Sequence, residues 1–153
     1  MISLLVQIMA REHDIIFYIR LLNKYISEDF DKRLEEHGIT GQQCCILFHV
    51  NHFYEQGENI HQSNIEKNFH LSKSTVSGLV KRLMNNGFIK REKDSSLVPT
   101  TKGKETVEEF RTNRKKTIER LLTGFSEEER AKAEENLYRL ITNMGGELDD
   151  RKH

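Results

Sequence analysis

The residues of this 153-residue chain best suited to binding lie between Leu71 and Arg91, in LSKSTVSGLVKRLMNNGFIKR. Ser72, Lys73, Ser74 and Thr75 come first, and Ser77, Gly78, Lys81 and Arg82 follow at spacings that keep them together on one side of a helix. Hydroxyls that donate and accept, beside cations that pair with phosphate, are the chemistry of contact with a polyanion. Small residues also let a helix approach another surface closely. Nucleophilic chemistry is a poor reading of the same serines, because they sit among cations and lack a nearby base. On composition alone, a solvated amphipathic helix with incidental charge accounts for the stretch as well, so the flanking segments must decide.

The elements that position these residues are readable on both sides. Val76, Leu79, Val80 and Leu83 recur at i, i+3, i+4, i+7, which predicts a helix with one buried face. Asn85-Asn86-Gly87 stops it. Upstream, Ile60 to Phe69 predicts a short helix with Ile65 and Phe69 pointing inward, and His70-Leu71 is the tight link between the two. Two short helices so joined, the second with a small and basic exposed face, form a helix-turn-helix. Downstream, Phe88 to Glu92 and Leu97 to Thr100 are extended around the polar turn Lys93-Asp94-Ser95-Ser96, a hairpin with a basic rim. Pro99, the only proline, has no N–H to donate, so its strand is expected at an edge or with that side free.

The rest of the chain reads as helical. Apolar residues recur at helical spacing from about Leu4 to Glu36, with a break allowed near Ala10 to His13, and His37-Gly38 ends the run. Thr40 is an N-cap for a helix burying Cys44, Ile46, Leu47, Val50 and Phe53, closed by Gln56-Gly57. Thr100 or Thr101 caps a long helix through Val107, Phe110, Ile118, Leu121 and Leu122. Ser126-Glu127-Glu128-Glu129 opens the last helix with a serine cap and acids in its first turn, and Ala133, Leu137, Leu140, Ile141 and Met144 form its stripe.

Composition bounds the function. Hydrophobic residues make up 36%, enough for a core in a single domain of ordinary size. The formal net charge is zero, yet Ser72 to Lys104 carries eight Lys and Arg against two acids, whereas Ser126 to Asp150 carries eight acids against three bases. Such segregation favours local attraction of an anionic partner. Cys44 and Cys45 are adjacent, which excludes a disulfide framework of the secreted type. Cys44 is expected to pack in the interior. Met1 to Ala10 is apolar but lacks a basic flank and is too short to span a bilayer, so a cytoplasmic location without membrane partner is expected. His49 and His52 lie i, i+3 on one helix, and His61 and His70 flank the next, but no acidic partner at ligand spacing accompanies them, so no metal and no cofactor is expected. No Gly-rich phosphate loop and no catalytic motif is present, so the chain is not expected to be an enzyme.

These residues resemble a MarR-type winged helix-turn-helix regulator. LSKSTVSGLVKRLMNNGFIKR followed by PTTKGKE is similar to that family's serine-rich recognition helix, leucine and glycine turn, aliphatic-x-Arg strand and entry into the helix after the wing, and Thr40-Gly41-Gln42-Gln43 resembles the start of its second helix. The resemblance implies a mainly α fold. It implies an N-terminal dimerisation helix over 1–37, a winged helix-turn-helix lobe over 38–104 and C-terminal dimerisation helices over 105–153. It also implies a homodimeric transcriptional regulator, a repressor on double-stranded DNA, with a small-molecule effector. The chain departs from the pattern at two points: the wing lacks the family's Asp-x-Arg brace, and Gly78 stands where many members carry an arginine.

A helix fits the major groove with its first residues near base edges. Ser74, Thr75 and Ser77 are therefore expected near bases, and Ser72, Lys73, Lys81 and Arg82 near phosphates. Gln62 and Asn64 are weaker candidates on the supporting helix, and Lys90, Arg91 and Lys93 belong to the wing. Alternatives are a cysteine- or metal-responsive regulator, or a winged-helix module that docks a protein. The latter predicts no salt-dependent DNA binding.

Overall fold

Helix boundaries fall where short polar side chains can satisfy the unpaired N–H groups of a first turn. In the computed structural model, which describes residues 13–147, α1 (Ile15–His37) starts behind Asp14, whose carboxylate accepts from the Phe17 N–H at 3.0 Å. It ends at Gly38, whose φ of 64° is the left-handed conformation that glycine adopts freely. The expected helical pattern upstream of His13 lies outside the described residues. α2 (Gly41–Glu55) opens with a reciprocal box between Thr40 and Gln43. α3 (Gln62–Phe69) and α4 (Lys73–Asn85) are joined through His70, a non-glycine residue at φ 52°, and Leu71. β1 (Ile89–Arg91) and β2 (Leu97–Pro99) pair antiparallel with Ile89 opposite Pro99, Lys90 opposite Val98 and Arg91 opposite Leu97. α5 (Thr101–Leu121) and α6 (Glu127–Asn143) complete the order, the latter behind a Ser126–Glu129 box.

Ile60 corrects the sequence expectation. It does not begin α3 but bridges Leu97, whose N–H donates to the Ile60 carbonyl at 2.8 Å. Sequence does not mark this, since an isolated aliphatic residue gives no period-2 signal. The bridge also explains Pro99. The Leu97 N–H points to Ile60 and the Thr100 N–H to the Phe88 carbonyl, so strand alternation turns the Pro99 nitrogen away from β1, where no ladder bond is lost.

The chain forms two compact units, one through Asn113 and one from Arg114. The first has a continuous core. Val76, Leu79, Val80 and Leu83, the stripe of α4, are all buried, as are Ile46, Leu47 and Val50 of α2, Ile65 of α3, and Phe88, Ile89, Leu97, Val107 and Phe110. Each such side chain contributes about 1.5–3 kcal/mol through removal from water, which fixes α4 by its apolar face and leaves the other face outward. Phe110 also meets Phe30 and Phe48 edge to face at 5.6 and 6.2 Å, packing α1, α2 and α5 together. The second unit buries no residue of α6; Leu137, Tyr138, Ile141 and Met144 are exposed. α1 likewise exposes Ile15, Ile16, Tyr18, Ile19, Leu22, Tyr25, Ile26 and Phe30. No helix of the described residues is long and apolar enough to cross a membrane.

Candidate nucleic-acid interface

α4 is presented by its own N-terminal hydroxyls. Ser72 Oγ accepts from the Thr75 N–H at 3.2 Å and lies 2.8 Å from Thr75 Oγ1 and 3.1 Å from Ser74 Oγ. Ser72 is therefore first the N-cap that makes the helix start here. Ser74 and Thr75 are exposed beside it, and Ser77 is exposed one turn later. Gly78 follows, with open space where a side chain would project.

The expected cations separate into two groups. Lys73, Lys81 and Arg82 on α4 and Lys93 in the wing turn are exposed, and their side chains have no partner among the described residues. The others are engaged. Lys90 Nζ pairs with Glu92 at 2.8 Å, and Arg91 donates to the Ser95 carbonyl at 3.2 Å and to Gln62 Oε1 at 3.4 Å. Lys102 Nζ donates to the Asn86 carbonyl at 2.8 Å, capping the end of α4, and sits 4.3 Å from the Phe88 ring centroid. Lys104 Nζ donates to the Tyr54 hydroxyl at 2.9 Å. The positive excess read from the sequence is thus partly consumed inside the lobe, and what remains concentrates on α4 and the wing tip.

The supporting-helix candidates serve local structure. Asn64 Oδ1 accepts from the His61 N–H at 2.8 Å and so helps start α3. Gln62 donates to Glu66 at 3.2 Å and accepts from Arg91, linking α3 to the wing.

Sequence reading missed Asn59 and Asp94. Asp94 Oδ1 accepts from the Ser96 N–H at 3.0 Å and its hydroxyl at 2.6 Å, while Oδ2 accepts from Asn59 Nδ2 at 3.2 Å. The Ser96 hydroxyl and then the Ser96 N–H hold the Asp94 carboxyl below the usual range. The Asp-Ser-Ser turn carries an Asx-turn signature that points to the first half of this arrangement. Nothing in sequence points to Asn59, 35 residues away.

Cys44 is buried and Cys45 exposed. Cys45 lines an open cavity of about 310 Å³ with Gly41, Gln42, Ile46, Phe69 and Leu71. His49 meets the rings of Phe53 and Phe69 edge to face and lies 3.0 Å from Asn68 Nδ2, and no group of three metal-ligating side chains occurs among the described residues.

The model of the MarR family matches residues 37–96, from the end of α1 through the wing turn. No curated protein matches the sequence. The fold is similar to S. aureus MepR in a DNA complex, at TM-score 0.73 and 23% identity over 84% of this chain and 98% of that one. It is similar to S. aureus MepR bound to ethidium bromide, at TM-score 0.72 and 24% identity over 88% and 99%. It also resembles a putative MarR family transcriptional regulator from Clostridium acetobutylicum, at TM-score 0.71 and 21% identity over 83% and 95%. These likenesses establish the fold, and the family match covers the lobe that holds α4 and the wing. Residues 37–96 are thus similar to the MarR family, and the chain has the winged helix-turn-helix fold of the MarR-type structures it resembles.

Proposed function

We propose that the chain is a repressor that binds a pseudo-palindromic operator in double-stranded DNA as a homodimer and is released by a small-molecule ligand. The observation that carries the DNA reading is the outward face of α4: Ser74, Thr75 and Ser77 beside Lys73, Lys81 and Arg82, whose cations have no partner among the described residues. In this reading α4 enters the major groove, its hydroxyls read base edges and its cations hold phosphates. Gln62 and Asn64 support the approach, and Lys90, Arg91 and Lys93 accompany it in the wing. The relative crystallised with DNA, S. aureus MepR, supports this use of the fold.

The exposed apolar faces of α1 and α6 support a dimer in which residues 1–37 and 105–153 form the body and 38–104 the DNA-binding lobe. A two-fold dimer presents two copies of α4 one DNA turn apart, about 34–36 Å, and so selects a site of matching symmetry. Ligand release is supported by the relative bound to ethidium bromide and by the open cavity at Cys45.

The experiment is an anisotropy titration of duplex DNA from upstream of the protein's own coding sequence, at several salt concentrations. Lys81→Ala with Arg82→Ala is expected to weaken binding and to lower the salt slope by about two phosphates. Unchanged affinity and slope would overturn the placement of α4.

A further inference from the structure

We propose that Asn59 and Asp94 are positioning residues for DNA contact: their hydrogen bond holds the wing turn so that Lys93 is presented to phosphate. This deepens the DNA-binding reading and rests on it.

The wing turn spans Glu92 to Ser96, closed by the Ser95 N–H to the Glu92 carbonyl at 3.0 Å and the Glu92 N–H to the Ser96 carbonyl at 2.9 Å. Ser95 takes φ 67°, a conformation that non-glycine residues adopt rarely and keep only where neighbours hold them. Three contacts do so. Asp94 Oδ1 bonds Ser96 within the turn, Arg91 Nη1 reaches the Ser95 carbonyl, and Asp94 Oδ2 accepts from Asn59. Only the last ties the tip to another segment, the loop between α2 and α3. That loop is anchored by Ile60, 1% exposed and bridged to Leu97. Asn59 therefore extends from a fixed point of the core to the middle of the turn.

The consequence falls on Lys93. Lys90 is committed to Glu92, and Arg91 to Ser95 and Gln62, so Lys93 is the wing cation without a partner among the described residues. It is adjacent to Asp94, so the clamp that fixes Asp94 fixes the backbone from which Lys93 projects. A preset direction spares Lys93 part of the ordering cost of meeting a phosphate.

The test uses the full chain and the same upstream duplex, measured at several salt concentrations. Asn59→Ala leaves every charge in place. It is expected to weaken binding about threefold to tenfold and to lower the salt slope by about one, as Lys93→Ala does. Asn59→Ala with Lys93→Ala should then bind no worse than Lys93→Ala alone, since both remove the same contact. The exchanged pair Asn59→Asp with Asp94→Asn preserves net charge and restores a donor opposite an acceptor, so it should recover the wild-type slope. A wild-type slope for Asn59→Ala, additive losses in the double variant, or no recovery by the exchanged pair would each overturn the clamp. Absence of salt-dependent binding by the wild-type protein would instead overturn the DNA reading itself, which separates the two failures.

Discussion

Arg111 grips Glu55 at both carboxylate oxygens, Nη1 to Oε1 at 2.8 Å and Nη2 to Oε2 at 2.9 Å. Asn51, 2% exposed and one turn earlier on α2, donates to the same Oε1 at 2.8 Å. The fork ties α5 to α2 beside the core. The Arg111 hydrogen bonds are the largest influence on the Glu55 carboxyl and hold it below its ordinary value, against the opposing effect of burial. Both side chains keep about two-fifths of their surface in water, so screening discounts the pair and Glu55→Gln is expected to cost about 0.5–1 kcal/mol at neutral pH. A depressed carboxyl contributes stability that is complete above its unfolded value and lost as pH falls through the folded one. Urea unfolding at one protein concentration should therefore show a gap between wild type and Glu55→Gln at neutral pH that closes in acid below the carboxylate range. An equal gap at both would contradict the assignment.

How much of this was legible in sequence divides by range. The caps Thr40 and Ser126 and the stop at Gly38 were readable because each is a local signal within one turn. The buried stripe of α4 was readable because periodicity reports a helix's own faces. Ile60 was not, because a single bridge to Leu97 carries no period. Nor was the division of the cations: Lys81 and Lys102 are alike in sequence, and only the fold brings Lys102 to the Asn86 carbonyl. The Glu55–Arg111 fork and the Asn59–Asp94 clamp join residues 56 and 35 positions apart, with nothing local to mark them.

Two glycines should respond in opposite directions to alanine. At Gly103 an added Cβ would fall on the Phe88 carbonyl oxygen and crowd Leu47, so α5 can pass the start of the hairpin only without a side chain. Gly103→Ala is expected to destabilise by about 1–3 kcal/mol or more, as overpacking does. At Gly78 nothing lies within reach, and alanine is the better helix former, so Gly78→Ala is expected to stabilise by about 0.5–1 kcal/mol. Denaturant midpoints of the two variants decide this, and a destabilised Gly78→Ala would refute the open space.

The adjacent cysteines should differ in reactivity. Burial, and then the neighbouring Cys45 thiol, push the Cys44 thiol up to about 11, while Cys45 is exposed at the cavity wall. The thiolate is the reactive form, so Cys44 is doubly protected. Brief treatment of the native protein with iodoacetamide at mildly alkaline pH should add one label per chain, at Cys45, and treatment in denaturant should add two. Peptide mass spectrometry reads the site; labelling of Cys44 in the native chain would contradict its burial.

The division of the basic residues yields a test on charge-matched variants. Lys81→Ala and Lys102→Ala each remove one positive charge from the lobe, so a general attraction of DNA to a basic surface predicts equal effects. The structure predicts unequal ones. Lys81 is exposed without a partner among the described residues, whereas Lys102 is bonded to the Asn86 carbonyl and lies over the Phe88 ring. Lys81→Ala should lower the salt slope of DNA binding by about one and leave the unfolding midpoint unchanged. Lys102→Ala should leave the slope near wild type and instead lower stability by about 0.5–1 kcal/mol, through loss of its contact at the end of α4. Anisotropy against salt, with urea unfolding of the same preparations, separates the two quantities. If Lys102→Ala changed the slope as much as Lys81→Ala, the ammonium of Lys102 would have to leave Asn86 for phosphate, and the distinction between engaged and available cations would fail.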